Sequence, residues 1–409
     1  MDKKLLALFA TTTVLALAGC GNSTQTNNQI ITETMAPDQT AASEATATPE
    51  QTATPEETVT SEQAATPEQT EAPTPVPVTD ASAFEYWVND DGTILIRWLI
   101  DKTLHDIVIP EQIDGKAVTS IGERAFYGCN NLTSVTIPDS VTEIGGSAFA
   151  DCSRLTNMTI PESVTVITDS MFSGCDHLTN VTIPNGVTEI GDSAFKGCSS
   201  LVSVTIPEGV TIITDHVFGG CSSLTDVIIP DGVTEIRLGA FSDCSGLINV
   251  TIPDSVTEIG IEAFSGCSGL ISMTIPDSVE GIWQNTFSGC SGLTDVTIGK
   301  GVTYIQSGAF YGCSSLTSMV IPEGVTGIDT VTFFGCSSLA SVILPEGVGF
   351  IDQGAFKGCS SLTSVNIPGS VTGISSSAFA DCSSLTTIKA PAGSYAEKWA
   401  TENGYSVQN

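Results

Sequence analysis

Thirteen cysteines and three histidines carry most of the reactive chemistry available to this chain. Twelve of the cysteines recur at positions 129, 152, 175, 198, 221, 244, 267, 290, 313, 336, 359 and 382, always 23 residues apart. Thiols at a fixed spacing invite disulfide or metal chemistry. If the copies stack in register, neighbouring cysteine Cα atoms lie about 5 Å apart, a separation a disulfide tolerates. Their Cβ vectors then run parallel, which leaves the sulfurs poorly aimed at one another. Zinc needs convergent ligands in tetrahedral geometry. No CxxC pair is present, and His105, His177 and His216 do not partner the cysteines. The expectation is therefore buried free thiols acting as small apolar side chains, which in an exported protein hints at a reducing or anaerobic habitat. Catalytic patterns are missing too: no Gly-x-Ser-x-Gly elbow, phosphate-binding glycine loop or His-Glu-x-x-His motif occurs. Carboxylate pairs arise everywhere by repetition, so none is singled out. Neither a catalytic residue nor a cofactor nor a metal ligand is expected.

Cys20 stands apart from the other twelve. Lys3 and Lys4 make a short basic start, followed by an apolar run from Leu5 to Ala18 that Thr11 to Thr13 interrupt. That run is shorter than the ~20 residues needed to span a bilayer and fits the core of a signal peptide. It ends in Leu17, Ala18, Gly19 and Cys20, which resembles a bacterial lipobox. The resemblance implies cleavage after residue 19, lipidation of Cys20 and a protein tethered outside the cytoplasm. Residues 21–80 contain ten acidic side chains and no Lys or Arg, in a background of Thr, Pro, Ala and Gln. Such a segment has too little apolar surface to offset ordering entropy, so 20–82 is expected to be a disordered stalk extended by its prolines and like charges.

Over the whole chain 13 basic residues face 46 acidic ones, a formal net charge of −33. A surface of that sign repels phosphate backbones and anionic headgroups, which excludes nucleic acid as a partner and favours cations.

The elements that must position the thiols share their period. Each repeat cysteine has a phenylalanine three residues before it, Phe126 through Phe379, and a leucine three residues after it, Leu132 through Leu385. In one copy, Val135 and Ile137 alternate with polar neighbours and read as a short strand. Pro138 removes a backbone donor and Asp139 and Ser140 supply turn chemistry, so the strand stops there. Val141 and Ile144 return inward, Gly145 and Gly146 turn the chain, and Ala148 to Cys152 are expected to form a single helical turn. A fixed short period without insertions marks a stacked solenoid. Strands ~4.8 Å apart would make one parallel sheet roughly 55–60 Å long.

The repeat Ile-Pro-x-x-Val-Thr-x-Ile-x-x-x-Ala-Phe-x-x-Cys-x-x-Leu-x-x-Val-x resembles the BspA-like subclass of leucine-rich repeats over residues 107–388. Phe84 to Ile109 is similar to that family's N-terminal cap, Ile113 to Gly122 to its lead-in, and Pro391 to Trp399 to its closing helix. The resemblance implies an α/β leucine-rich-repeat solenoid with a concave parallel sheet and short helical turns, capped at both ends. The expected organisation is a signal peptide at 1–19, stalk at 20–82, cap and lead-in at 83–128, repeats at 129–388 and C-terminal cap at 389–409. Ser140 and Gly186 stand where many leucine-rich repeats carry asparagine, which removes the usual asparagine ladder. Relatives of this kind are often surface antigens or adhesins, which implies an extracellular protein or glycan as partner and a bacterial cell-envelope location.

Candidate contacts follow from breaks in the columns. The outward strand position is threonine in most copies, as at Thr136, Thr159 and Thr182, a residue that suits an exposed strand. It changes at Ile228, Val320, Ile343, Asn366 and Lys389. A second column carries Glu143, Glu189, Glu235 and Glu258 but becomes Tyr304 and Phe350, with Trp283 one coil before Tyr304. These aromatics are either interface anchors or local packing adjustments. Carboxylates such as Asp139, Glu162, Glu208, Asp231, Asp254 and Asp277 should line one edge as solvated surface.

Overall fold

The computed structural model describes residues 77–409, so the expected signal peptide, Cys20 and most of the stalk lie outside the described residues. The first element is a 3-10 turn, Ala81–Ala83, whose N-cap Asp80 accepts from the Ser82 N–H. Strand β1 (Phe84–Val88) pairs antiparallel with β2 (Ile94–Leu99), and β2 runs parallel to β5 (Lys116–Ile121). Between them lie β3 (Asp106–Val108) and β4 (Gln112–Ile113). The β4–β5 hairpin turns on Asp114 and Gly115, both at positive φ (52° and 74°). A two-residue Asp-Gly turn of this hand matches the twist of the strands it joins.

From these lead-in strands two parallel ladders grow. β3 starts the first, pairing with Ser134–Thr136 and then Asn157–Thr159 and Asn180–Thr182, each partner 23 residues further on. The same register runs on through Ser203–Thr205, Asp226–Ile228 and Asn249–Thr251 to Ser364–Asn366 and Thr387–Lys389. β5 starts the second ladder, of two-residue strands, at Glu143–Ile144 and reaches Gly373–Ile374. The sequence pattern foretold the first ladder only. The second is hard to see because two residues are too few for alternation to declare a strand.

Where single helical turns were expected, the structure has successive i to i+3 turns instead. Ala148 N–H bonds Gly145 O, and Cys152 N–H bonds Phe149 O at 3.2 Å. The Phe149 N–H is donated to Met171 O of the following coil, so it is not free for a helical bond. Ser147 and Asp151, at φ 55° and 57°, break any right-handed run as well. Among the described residues the one α-helix is α1 (Tyr395–Glu402). Its N-cap Ser394 accepts from Glu397 N–H while the Glu397 carboxylate accepts from Gly393 N–H, which satisfies donors a helix start leaves free.

The core is a set of columns. Val135, Val141, Ile144, Phe149, Cys152 and Leu155, with their equivalents in later coils, are buried. The phenylalanines from Phe126 to Phe379 form one continuous stack with centroids 5.0–5.7 Å apart and planes within 16°. Phe84 closes it edge-on at 6.4 Å at one end, and Trp399 of α1 closes it at 5.8 Å at the other. The final strand, Ser406–Gln408, adds to Thr387–Lys389 and covers the last coil. Both ends of an open solenoid would otherwise expose core.

Hydroxyls take the place of an asparagine ladder. Ser163, Ser255, Ser278 and Ser370 each donate to a valine carbonyl of the preceding coil at 2.5–2.6 Å. Threonines do the same at another corner, Thr156 to Thr133 O and Thr179 to Thr156 O. This accounts for the many Ser and Thr in the repeats, because each corner carbonyl needs a donor once coils stack.

Candidate binding surface

The repeat cysteines are free and buried. Eleven of them, Cys152 to Cys382, donate their S–H to the phenylalanine carbonyl 26 residues earlier at 3.0–3.2 Å. Burial pushes the thiols up, to about 12 at Cys152, Cys244, Cys290 and Cys336. They are structural donors, and a thiolate for metal or disulfide chemistry is suppressed. Among the described residues no three His, Cys, Asp or Glu side chains converge as a metal site. The edge carboxylates Asp139, Glu162, Glu208, Asp231, Asp254 and Asp277 are exposed.

The column breaks fall where the strands put them, on the outward face of the first ladder. Ile228 is 80% exposed between Thr205 and Thr251. Val320 and Ile343 are direct neighbours in register and 59% and 60% exposed. Asn366 follows Ile343, and Lys389 follows Asn366. Both line a 370 Å³ recess with Ala390, Pro391, Gln408 and Asn409 at the C-terminal cap. The structure therefore joins Val320, Ile343, Asn366 and Lys389 into one continuous strip and leaves Ile228 by itself.

Trp283, Tyr304 and Phe350 belong to the second ladder or its flank. Tyr304 pairs in register with Gly281 and Phe350 with Gly327, and in both cases a Cβ on the glycine would collide with the ring. An aromatic laid over a glycine of the neighbouring strand is a packing solution for the gap the glycine leaves. Phe350 nevertheless remains 43% exposed. Tyr304 also meets Trp283 edge-on, with centroids 5.4 Å apart at 73°.

Trp283 lines a cleft of 400 Å³ together with Asp215, Glu235, Ile236, Arg237, Leu238, Glu258, Gly260 and Ile261. Sequence reasoning singled out Trp283, Glu235 and Glu258 but missed Leu238 and Ile261. The signal was present, since the same column position is Asp169, Asp192 and Asp215 in the three preceding coils. Also missed was a stack on the turn side: Tyr311 on Phe334 at 4.8 Å, with the Lys357 ammonium over Phe334 at 5.7 Å and 3.7 Å from Asp381.

A family model described as BspA type Leucine rich repeat region matches residues 101–225, 211–339 and 303–400. No curated protein sequence matches the chain. Among solved structures, a leucine-rich repeat protein from Bacteroides ovatus is similar at 31% identity and a TM-score of 0.59, covering 81% of this chain and 98% of its own. A leucine rich cell surface protein from Faecalibacterium prausnitzii is similar at 34% identity and a TM-score of 0.56, covering 82% and 99%. The pneumococcal vaccine antigen PcpA shares the fold at 15% identity and a TM-score of 0.52, covering 81% and 98%.

Proposed function

The chain belongs to the BspA-type leucine-rich repeat family, and we propose that it is a non-enzymatic surface protein that binds an extracellular macromolecule through the outward face of its first ladder. The observation that carries this reading is the exposed pair Val320 and Ile343. Neither side chain has a packing reason to be apolar, because threonine fills the equivalent position in Thr251, Thr274 and Thr297 without disturbing the strands. Exposed adjoining hydrophobics with a polar rim, here Asn366 and Lys389, are the composition of a protein contact. Lipidation at Cys20 and a stalk over 20–82 would hold this face away from a bacterial membrane, in keeping with the cell-surface description of the F. prausnitzii relative.

The test is a binding screen of the chain against matrix proteins and glycans at physiological salt, with and without calcium. A saturable protein ligand that the double substitution Val320→Thr and Ile343→Thr weakens about tenfold, roughly 1.4 kcal/mol, supports the reading. Binding to glycans alone would replace it with polysaccharide capture. No binding at all would favour a structural coat component. The anchor has its own test: Cys20→Ala should move the protein from the detergent phase to the aqueous phase on Triton X-114 partition.

A further inference from the structure

The cleft beside the second ladder owes its existence to one glycine. Arg237, Gly260 and Trp283 occupy the same column position in three successive coils, so Gly260 leaves a slot between a guanidinium and an indole. With coils ~4.8 Å apart the two walls start from backbones about 10 Å apart. The slot is floored by Leu238 and Ile261, which are 37% and 40% exposed, and rimmed by Asp215, Glu235 and Glu258. Trp283 is braced by the edge of Tyr304, and Tyr304 by its seat over Gly281. Arg237 pairs with Glu235 at 2.9 Å. Asp215 and Glu258 have no ion-pair partner among the described residues, and the rim keeps a net charge of −2 (three carboxylates against one guanidinium).

We infer that this slot is a second binding site, built to take a lysine or arginine side chain from a basic segment of a partner polypeptide. The alkyl stem would lie on Leu238 and Ile261 beside the indole, and the cationic head would reach Glu258 and Asp215. An apolar floor with an anionic rim complements an amphipathic cation, whose stem is apolar and whose head is charged. Arg237 shows that the rim already accepts a guanidinium. The Tyr304 hydroxyl is held above its usual range by burial and then by Glu280 and Glu258, which marks the same negative field at this flank.

Hexalysine titrated against the full chain in detergent, with a glutamine hexamer and cellohexaose as rivals, tests the assignment. Trp283→Ala and Glu258→Gln are each expected to weaken hexalysine at least fivefold. Asp139→Asn, which removes the same charge in a distant coil, should change it less than twofold. Ile261→Asp restores the residue type found at Asp169, Asp192 and Asp215, so the coil tolerates it. It adds negative charge yet removes the floor, and it should weaken hexalysine at least threefold. Tighter binding by Ile261→Asp, equal loss with Asp139→Asn, or binding of cellohexaose in preference to hexalysine would overturn the assignment. The Val320→Thr and Ile343→Thr double variant should bind hexalysine like the parent, so failure here and failure at the first ladder read out separately.

Discussion

The Cys152 thiol donates to the Phe126 carbonyl, and ten later thiols repeat that bond coil after coil. Because the neutral form is the one the fold holds, the thiols tie stability to pH. In the folded chain burial raises them from 9.0 to about 12 at Cys152, Cys244, Cys290 and Cys336. Below pH 9 both folded and unfolded thiols are protonated and the contribution is complete. Between pH 9 and 12 only the unfolded chain deprotonates, so stability falls as pH rises. A melting temperature that is flat from pH 7 to 8.5 and drops steeply above 9 is expected by circular dichroism. Thiol reagents at pH 8 should label the repeat cysteines only after denaturant is added, and labelling of the native chain would contradict the burial described. Glycine–aromatic pairs make another residue-scale test. Gly327→Ala should destabilise by about 1–3 kcal/mol because the Phe350 ring must leave its seat. Adding Phe350→Thr should recover most of that loss, a non-additivity that a double-mutant cycle in denaturant would measure.

The turn segment is the element whose conformation the residues announced least well. Ala-Phe-x-x-Cys spacing suits one turn of helix, and nothing in the side chains reveals that the Phe149 N–H is committed to Met171 O in the next coil. The backbone requirement does leave a trace, in that one position is left-handed throughout: Ser147, Ser170, Ser193, His216, Gly239, Glu262, Asn285, Gly308, Val331 and Gly354. Nine of these ten are glycine, polar or charged, and only Val331 is β-branched, a residue for which φ 50° is a strained value. Val331→Gly is therefore expected to raise stability by about 1 kcal/mol, seen as a higher urea midpoint at unchanged m-value. By contrast the strands and their inward residues were legible, because Val135 and Ile137 alternate and Pro138 ends the run. The hydroxyl ladders were not, since Ser163 and Thr156 look like ordinary surface residues until the stacking partner is known. Much the same holds for the cleft. Trp283 drew notice as a large residue at a glycine position, whereas Leu238 and Ile261 only gain meaning beside the gap at Gly260.

At the scale of the whole molecule the unbroken 23-residue period makes coils interchangeable in register. Excision of residues 176–198, one period, should give a shorter chain that still melts cooperatively, while excision of the 20 residues 176–195 should not, because every column would lose its partner. The caps are not interchangeable in this way. Loss of residues 390–409 removes Trp399 from the end of the phenylalanine stack and should yield a protein that aggregates on size-exclusion chromatography. The ladders also decide how the array would respond to a pull between its two ends. Their hydrogen bonds point from coil to coil, so a stretching force loads the coils in series. One coil that gives way surrenders 23 residues, about 75–80 Å of extended chain, in place of a rise of ~4.8 Å. The array would lengthen stepwise under load and keep its remaining coils intact, in the manner of a shock cord.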